Sequence, residues 1–322
     1  MWSSNNYVAR MGSIAVAVGV VAALSGCSSV DETVVEPMEI GSTINGIELT
    51  AELDPQVGSV TLPFDQFAPT PWEEAVLTAG ISGTLSQCAL DKGVVFRSKP
   101  PVDQSIYEEI YSSEHYFGPW TQGQAARWGF VTPQHDADLF YNGVDGGPTE
   151  APEPMYALDE QEYSGTNEEI IDECRALSGQ AEKYQSALAA VPWAVDYPLY
   201  EEVWRDFDKA ESAVDDLAQC LTQRGLAPVD EEPWWPLGAR ADRIDEEQIS
   251  MALTVVECKE SVNFTQRMAD VEVAIQMPMV KKYAQEMHAH KDVLDEAFTE
   301  ASGFLAKNPD LYLSRNPASG QE

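Results

Sequence analysis

Basic residues are scarce in this chain. Nineteen lysines and arginines stand against 54 aspartates and glutamates in 322 residues, a net charge of −35. A nucleic-acid face must neutralise phosphates with clustered lysine and arginine, so no nucleic-acid partner is expected. Docking of the protein body onto anionic lipid is disfavoured for the same reason. The acid excess reads as solvated helix faces that keep the protein soluble. Histidine is scarcer still, with four residues. His288 and His290 are two apart on a predicted helix, so they point about 200° apart and do not chelate one ion easily. His115 and His135 fall in an irregular stretch, where "HDAD" at 135–138 sets an imidazole beside two carboxylates. Acid-rich loops produce such clusters by chance, and no metal or cofactor is expected. The chain has no Gly-x-Ser-x-Gly elbow, no phosphate-cradling loop and no His-Glu-x-x-His. Paired carboxylates for glycoside hydrolysis carry no signal where acids are everywhere. The expectation is therefore a non-enzymatic protein.

The chain opens with a polar stretch whose only charge is Arg10, followed by an apolar run from Ile14 to Leu24. That run falls short of the ~20 residues a membrane-spanning helix needs and suits the core of a signal peptide. It closes on Leu24-Ser25-Gly26-Cys27. Small residues before a cysteine let an extended chain enter a peptidase cleft, and the thiol can take a diacylglyceryl group. The pattern matches a bacterial lipobox. Residues 1–26 are read as the signal peptide and Cys27 as the lipidated first residue of the mature protein. Two acyl chains anchor stably where one does not, so the expected place is the extracytoplasmic face of the cell membrane. Residues 27–69 are read as an acidic tether with one or two short strands.

A single, mainly helical domain is expected over 70–310. "TPWE" makes Thr70 an N-cap, Pro71 the first helical residue and Glu73 the return partner of a capping box. Leu77, Ile81, Leu85 and Cys88 follow at helical spacing, and Gly93 sits where a C-terminal cap belongs. From 94 to 158 aromatics, glycines and prolines interrupt every periodicity, which reads as a long irregular insertion. Helical patterns resume over 167–191, 199–224 and 245–307. Thr166–Glu169 and Asp245–Gln248 resemble further capping boxes, and Pro278 is expected to kink the last segment. The fold class predicted is a helical bundle, stapled by disulfides, with a long C-terminal helical pair. Residues 311–322 read as a flexible tail.

The cysteines hold a half-hidden repeat. "LSQCALDKG" at 85–93 and "LAQCLTQRG" at 217–225 share a plan, each with glycine five residues after the cysteine. "DECR" at 172–175 and "VECK" at 256–259 match one another as well. With Cys27 acylated, four cysteines remain, and an even number in an exported chain points to disulfides. Three pairings are open. The simplest ties each Cys-to-Gly helix to the acid-Cys-base helix that follows, giving Cys88–Cys174 and Cys220–Cys258. Zinc ligation normally uses short Cys-x-x-Cys pairs, and none occurs.

"VTLPFDQFAPTPWEE", "DDLAQCLTQRGL" and "VVECKESVNFTQRMADVEVAIQ" resemble a family of exported actinobacterial lipoproteins. The similarity runs from about Val60 to about Gln285. Its markers are the four cysteines, the Leu-Pro before the first helix and the Gly-Trp-aromatic middle. The resemblance implies location and scaffold and names no reaction. Such proteins commonly carry Gly-Phe or Gly-Tyr after the first and third of these cysteines. This chain has Gly93-Val94 and Gly225-Leu226, which weakens any claim that an aromatic there binds something.

Ligand binding has one candidate region. Tyr116, Trp120, Arg127 and Trp128 lie within a short aromatic stretch, where rings and a guanidinium can stack on and hydrogen-bond a sugar or peptidoglycan fragment. The same aromatics also suit packing of a glycine-rich segment onto the helices. Trp234 and Trp235 are expected to cover an end of the bundle. The function read from these features is a cell-envelope binding or accessory lipoprotein, with an envelope protein or cell-wall glycan as partner. A substrate-binding lipoprotein of an uptake transporter is the alternative, although it usually needs two α/β lobes. A cell-wall hydrolase stands third.

Overall fold

The computed structural model describes residues 40–97, 100–101, 118–133, 136–150, 162–164, 168–177, 179–197, 207–230 and 232–312. The fold is mainly helical. The described helices are α1 (Pro71–Asp91), α2 (Gln122–Trp128), α3 (Asp136–Tyr141), α4 (Glu168–Leu177), α5 (Gly179–Ala187), α6 (Pro192–Val195), α7 (Asp208–Gln223), α8 (Glu246–Ser261) and α9 (Phe264–Lys307). Among the described residues six short strands form three antiparallel pairs: β1 (Thr43–Ile44) with β2 (Ile47–Glu48), β3 (Glu52–Asp54) with β4 (Ser59–Thr61), and β5 (Val95–Arg97) with β6 (Glu162–Ser164).

Helix α9 is the spine. Its 44 residues extend about 66 Å at 1.5 Å each. Each third of it packs a different layer. Near its start, Phe264, Met268 and Val271 meet Leu217 and Leu221 of α7 and Val255 of α8. In the middle, Val273, Val280 and Met287 take the two hairpins through Ile47, Leu49, Val60 and Leu62. Towards its end, Leu294, Ala297 and Ala301 meet Leu77 of α1 and Tyr184 of α5. Pro278 lies inside this helix without ending it. It removes one donor from the Ala274 carbonyl.

Local signals explain the ends of the helices. Thr70 accepts from the Glu73 amide at 3.2 Å, and the Glu73 carboxylate accepts from the Thr70 amide at 2.7 Å, a complete capping box. Gly93 and Gly225 adopt φ of +81° and +80°. Beyond them the Val94 and Leu226 amides reach back to the carbonyls of Ala89 and Leu221, closing the helix ends in Schellman fashion. Asp245 accepts from the Gln248 amide at 2.9 Å, but the box there is not reciprocal. The Gln248 side chain instead holds the preceding loop, donating to the Gly238 carbonyl and accepting from the Arg240 amide. Thr166 lies outside the described residues.

Several expectations need correction. The stretch 245–307 is two helices, because Asn263 sits at φ +53° and turns the chain between α8 and α9. The pattern over 167–191 likewise divides into α4 and α5. Residues 40–69 are not a tether. Their alternating apolar side chains bury against α9, and both hairpins belong to the body. The 94–158 stretch is not wholly irregular. It holds β5, α2 and α3, with Thr121 capping α2 by accepting from the Gln124 amide. Nor is the tail free at its start, since Leu311 and Tyr312 are buried and the Tyr312 hydroxyl donates to the Ala79 carbonyl at 2.9 Å.

Two disulfides staple the helices. Cys88 of α1 joins Cys174 of α4, and Cys220 of α7 joins Cys258 of α8, with Cα–Cα distances of 5.7 and 5.6 Å.

Candidate functional site: a donor-lined groove at the α8–α9 turn

A groove of about 320 Å³ opens where four pieces of chain meet. Leu53 and Pro55 of the β3–β4 hairpin form one wall, and Trp120 to Gly123 form another. Lys259 and Glu260 come from the last turn of α8. Asn263, Thr265 and Gln266 come from the turn and the start of α9.

These walls are fixed from behind. The Gln124 side chain donates to the Gly58 carbonyl at 3.3 Å and accepts from the Trp120 amide at 3.4 Å, tying hairpin to helix. Gly58, at φ +74°, has no room for a Cβ against that amide group. The Cys220–Cys258 disulfide holds the turn of α8 that carries Lys259.

Lys259 is the unusual residue. It is 2% exposed, and its Nζ donates to the Pro119 carbonyl at 3.0 Å. The ammonium also lies 5.7 Å from the Phe264 ring centre. Burial alone pulls its pKa down to about 7 from the usual 10.5, since removal from water penalises the charged form. Among the described residues no carboxylate offsets this, so the amine is part charged and part neutral at neutral pH. Its helical neighbours explain the burial. Ala252 and Val256 precede it at steps of seven and three, and both are fully buried. A second apolar face therefore runs along α8 beside the one bearing Val255 and Cys258.

The other donors around the groove are open. Thr265 lines the groove and is buried. The amides of Thr265 and Gln266 belong to the first turn of α9, where the helix offers them no acceptor. Asn263 supplies no side-chain cap to replace one. Trp120 is 7% exposed, and its indole Nε1 has no acceptor among the described residues. Glu260 is the one acid among the described residues that line the groove.

The structure divides the four candidate ligand residues. Trp120 lines the groove. Trp128 instead packs with Val131 and Leu139 in a separate cluster. Arg127 lies over the Trp128 ring at 4.7 Å. They do not join Trp120 in one stacking platform, because α2 turns their side chains to other neighbours. Tyr116 lies outside the described residues, as do Cys27, His115 and His135. His288 donates from Nε2 to the Asn45 carbonyl at 3.0 Å and sits edge-on to Phe67, while His290 sits edge-on to Trp193. Both histidines pack the hairpin layer rather than form a site. Trp234 is buried in the α7–α8–α9 cluster, and Trp235 meets Phe130 and backs Gly118. Among the described residues no cluster of histidine, cysteine and acid is placed to hold a metal ion, and no helix is long and apolar enough to cross a membrane.

A second hollow, of about 250 Å³, lies between α7 and α9 and is lined by Asp208, Lys209, Ser212, Arg267 and Asp270. Its arginine is already engaged by Asp216 and Ser212, at 2.7 and 2.9 Å. The groove at Lys259 is thus the better candidate. No family model, no curated protein and no solved structure matches the chain.

Proposed function

We propose that the protein is a lipid-anchored, extracytoplasmic binding or accessory protein of the cell envelope, which engages its partner through the groove beside Lys259. The observation that carries this reading is the division of the cysteines. Four are joined as two pairs, so none remains in the chain to pair with Cys27. Cys27 alone follows an apolar run and the Leu24-Ser25-Gly26 approach to a lipobox. Two disulfides suit an oxidising compartment, and a diacylglyceryl group would keep the mature chain there at the membrane surface. The similarity to exported actinobacterial lipoproteins points the same way.

Fractionation of cells expressing the Cys27→Ala chain tests the anchor. The wild-type protein is expected in the membrane fraction and the variant outside it; equal membrane retention of both would refute the reading. Crosslinking of the wild-type protein in intact cells should then recover an envelope protein or cell-wall glycan.

A further inference from the structure

The Lys259 groove has a chemistry of its own. In a chain with 54 acids, it gathers donors around a buried amine and admits one acid, Glu260. The long helix α9 points its N-terminal end there, and the helix dipole favours negative charge at that end. A helix N-terminus alone proves little, but two further features are independent of it. Trp120 lines the groove and is 7% exposed, yet its indole Nε1 has no acceptor among the described residues. Lys259 uses one of the three donors of an ammonium, on Pro119.

We propose that the groove binds a carboxylate, held by the Lys259 ammonium, the Thr265 hydroxyl and the open amides at the start of α9. A single positive charge matches a monovalent oxyanion. A phosphate dianion would call for more cations and would meet Glu260. A volume of about 320 Å³ suits a small acid or the last residue or two of a peptide. The inference rests on the reading of the protein as a binding protein and names the ligand class of that groove.

Carboxylate binding stabilises charged Lys259 and therefore draws in a proton wherever the free amine is neutral. The titratable groups around it are few. Glu260 shares its helix and the groove. The linings from the hairpin, from 120–123 and from α9 are Leu53, Pro55, Trp120, Thr121, Gln122, Gly123, Asn263, Thr265 and Gln266, and none of these titrates. With the free amine at about 7, roughly 0.9 proton should be taken up per ligand at pH 8.

The test is isothermal titration calorimetry on the full chain in non-ionic detergent, at pH 8, in two buffers of different ionisation enthalpy. The probes are butyrate, the tripeptide Gly-Ala-Ala with a free carboxylate, and its C-terminal amide. At least one carboxylate should bind with uptake approaching one proton, and the amide should bind at least ten-fold more weakly than the free tripeptide if that is the one bound. Binding of butyrate alone assigns the site to small acids, and binding of the tripeptide acid alone assigns it to peptide ends. Lys259→Met should abolish the proton uptake and weaken binding at least ten-fold, and Thr265→Val should weaken it several-fold with the uptake kept. Failure of both carboxylates, binding without uptake, or unchanged binding by Lys259→Met would overturn the proposal. None of these outcomes depends on where Cys27 places the protein in the cell, so the ligand and the location fail separately.

Discussion

Lys259 makes the chain's stability depend on pH in a window where few other groups titrate. Its amine ionises near 7 in the folded protein and near 10.5 when unfolded. The sign follows from proton counting. Above about pH 10.5 both states hold the amine neutral, and burial costs nothing electrostatically. Between 7 and 10.5 the unfolded chain holds the proton and the folded chain gives it up, so stability rises with pH across that interval. Below 7 both states are protonated, and the full penalty of a buried ammonium is present. The fall from 10.5 to about 7 amounts to about 5 kcal/mol over the whole window. Between pH 7 and pH 9 the rise is about 2 kcal/mol.

Lys259→Met isolates this contribution. Methionine nearly keeps the length of the stem and removes the amine. It leaves the Pro119 carbonyl without its donor, an offset of about 1–3 kcal/mol that does not vary with pH. Urea unfolding of wild type and variant at pH 7, 8 and 9, with disulfides intact, measures the difference. The wild type should gain about 2 kcal/mol on the variant between pH 7 and 9, and the variant should be the more stable protein at pH 7. Parallel pH profiles for the two proteins would refute the burial argument.

Two predictions concern the scaffold. Non-reducing peptide mapping should find Cys88–Cys174 and Cys220–Cys258, and crossed pairs would refute the fold described. Replacing each pair by serine should cost roughly 4.5 kcal/mol for the separation of 86 residues and roughly 4 kcal/mol for that of 38, by the chain-entropy account. Thermal unfolding measures this, and loss of the second pair should also weaken ligand binding in the groove. Gly83→Ala should destabilise by about 1–3 kcal/mol, because a Cβ there runs into the Tyr312 hydroxyl and crowds the Phe304 ring. In a double-mutant cycle Tyr312→Phe should recover part of that loss; strict additivity would mean the two do not touch.

How much of this was legible in the sequence depends on the length of the signal. Long helices with caps were readable, because Thr70, Pro71 and Glu73 announce the start of α1 and Gly93 and Gly225 mark two ends. The cysteine pairs were readable from the matched contexts on either side. One or two short strands were readable before α1, but their pairing into two hairpins was not, since strands of two or three residues are too short to establish a period. What makes them structure is burial of Ile47, Leu49, Val60 and Leu62 on α9, residues more than 200 positions away. Helix α2 was hidden by Gly123 in its first turn and Gly129 just past its end. Its cap and its packing on α8 override the local turn composition.

The groove was the least legible part, and Lys259 shows why. The sequence offers two acid-Cys-base motifs that look alike. In the first, Arg175 stays exposed and pairs with Asp172 at 2.6 Å. In the second, Lys259 is enclosed, and its ammonium donates to a backbone carbonyl, that of Pro119, 140 residues earlier. A motif cannot distinguish these fates, because they depend on what lies across the helix. One signal was present nonetheless. Ala252 and Val256 share the face of Lys259, so α8 is apolar on that side as well as on the Val255–Cys258 side. A helix apolar on two sides is enclosed by its neighbours, and a lysine on its second apolar face is then buried whatever its local motif. Burial of that kind, with no carboxylate beside it among the described residues, costs the fold the desolvation of the charged amine. A ligand that brings the missing negative charge would recover it, and this coupling is what gives the carboxylate proposal its physical force.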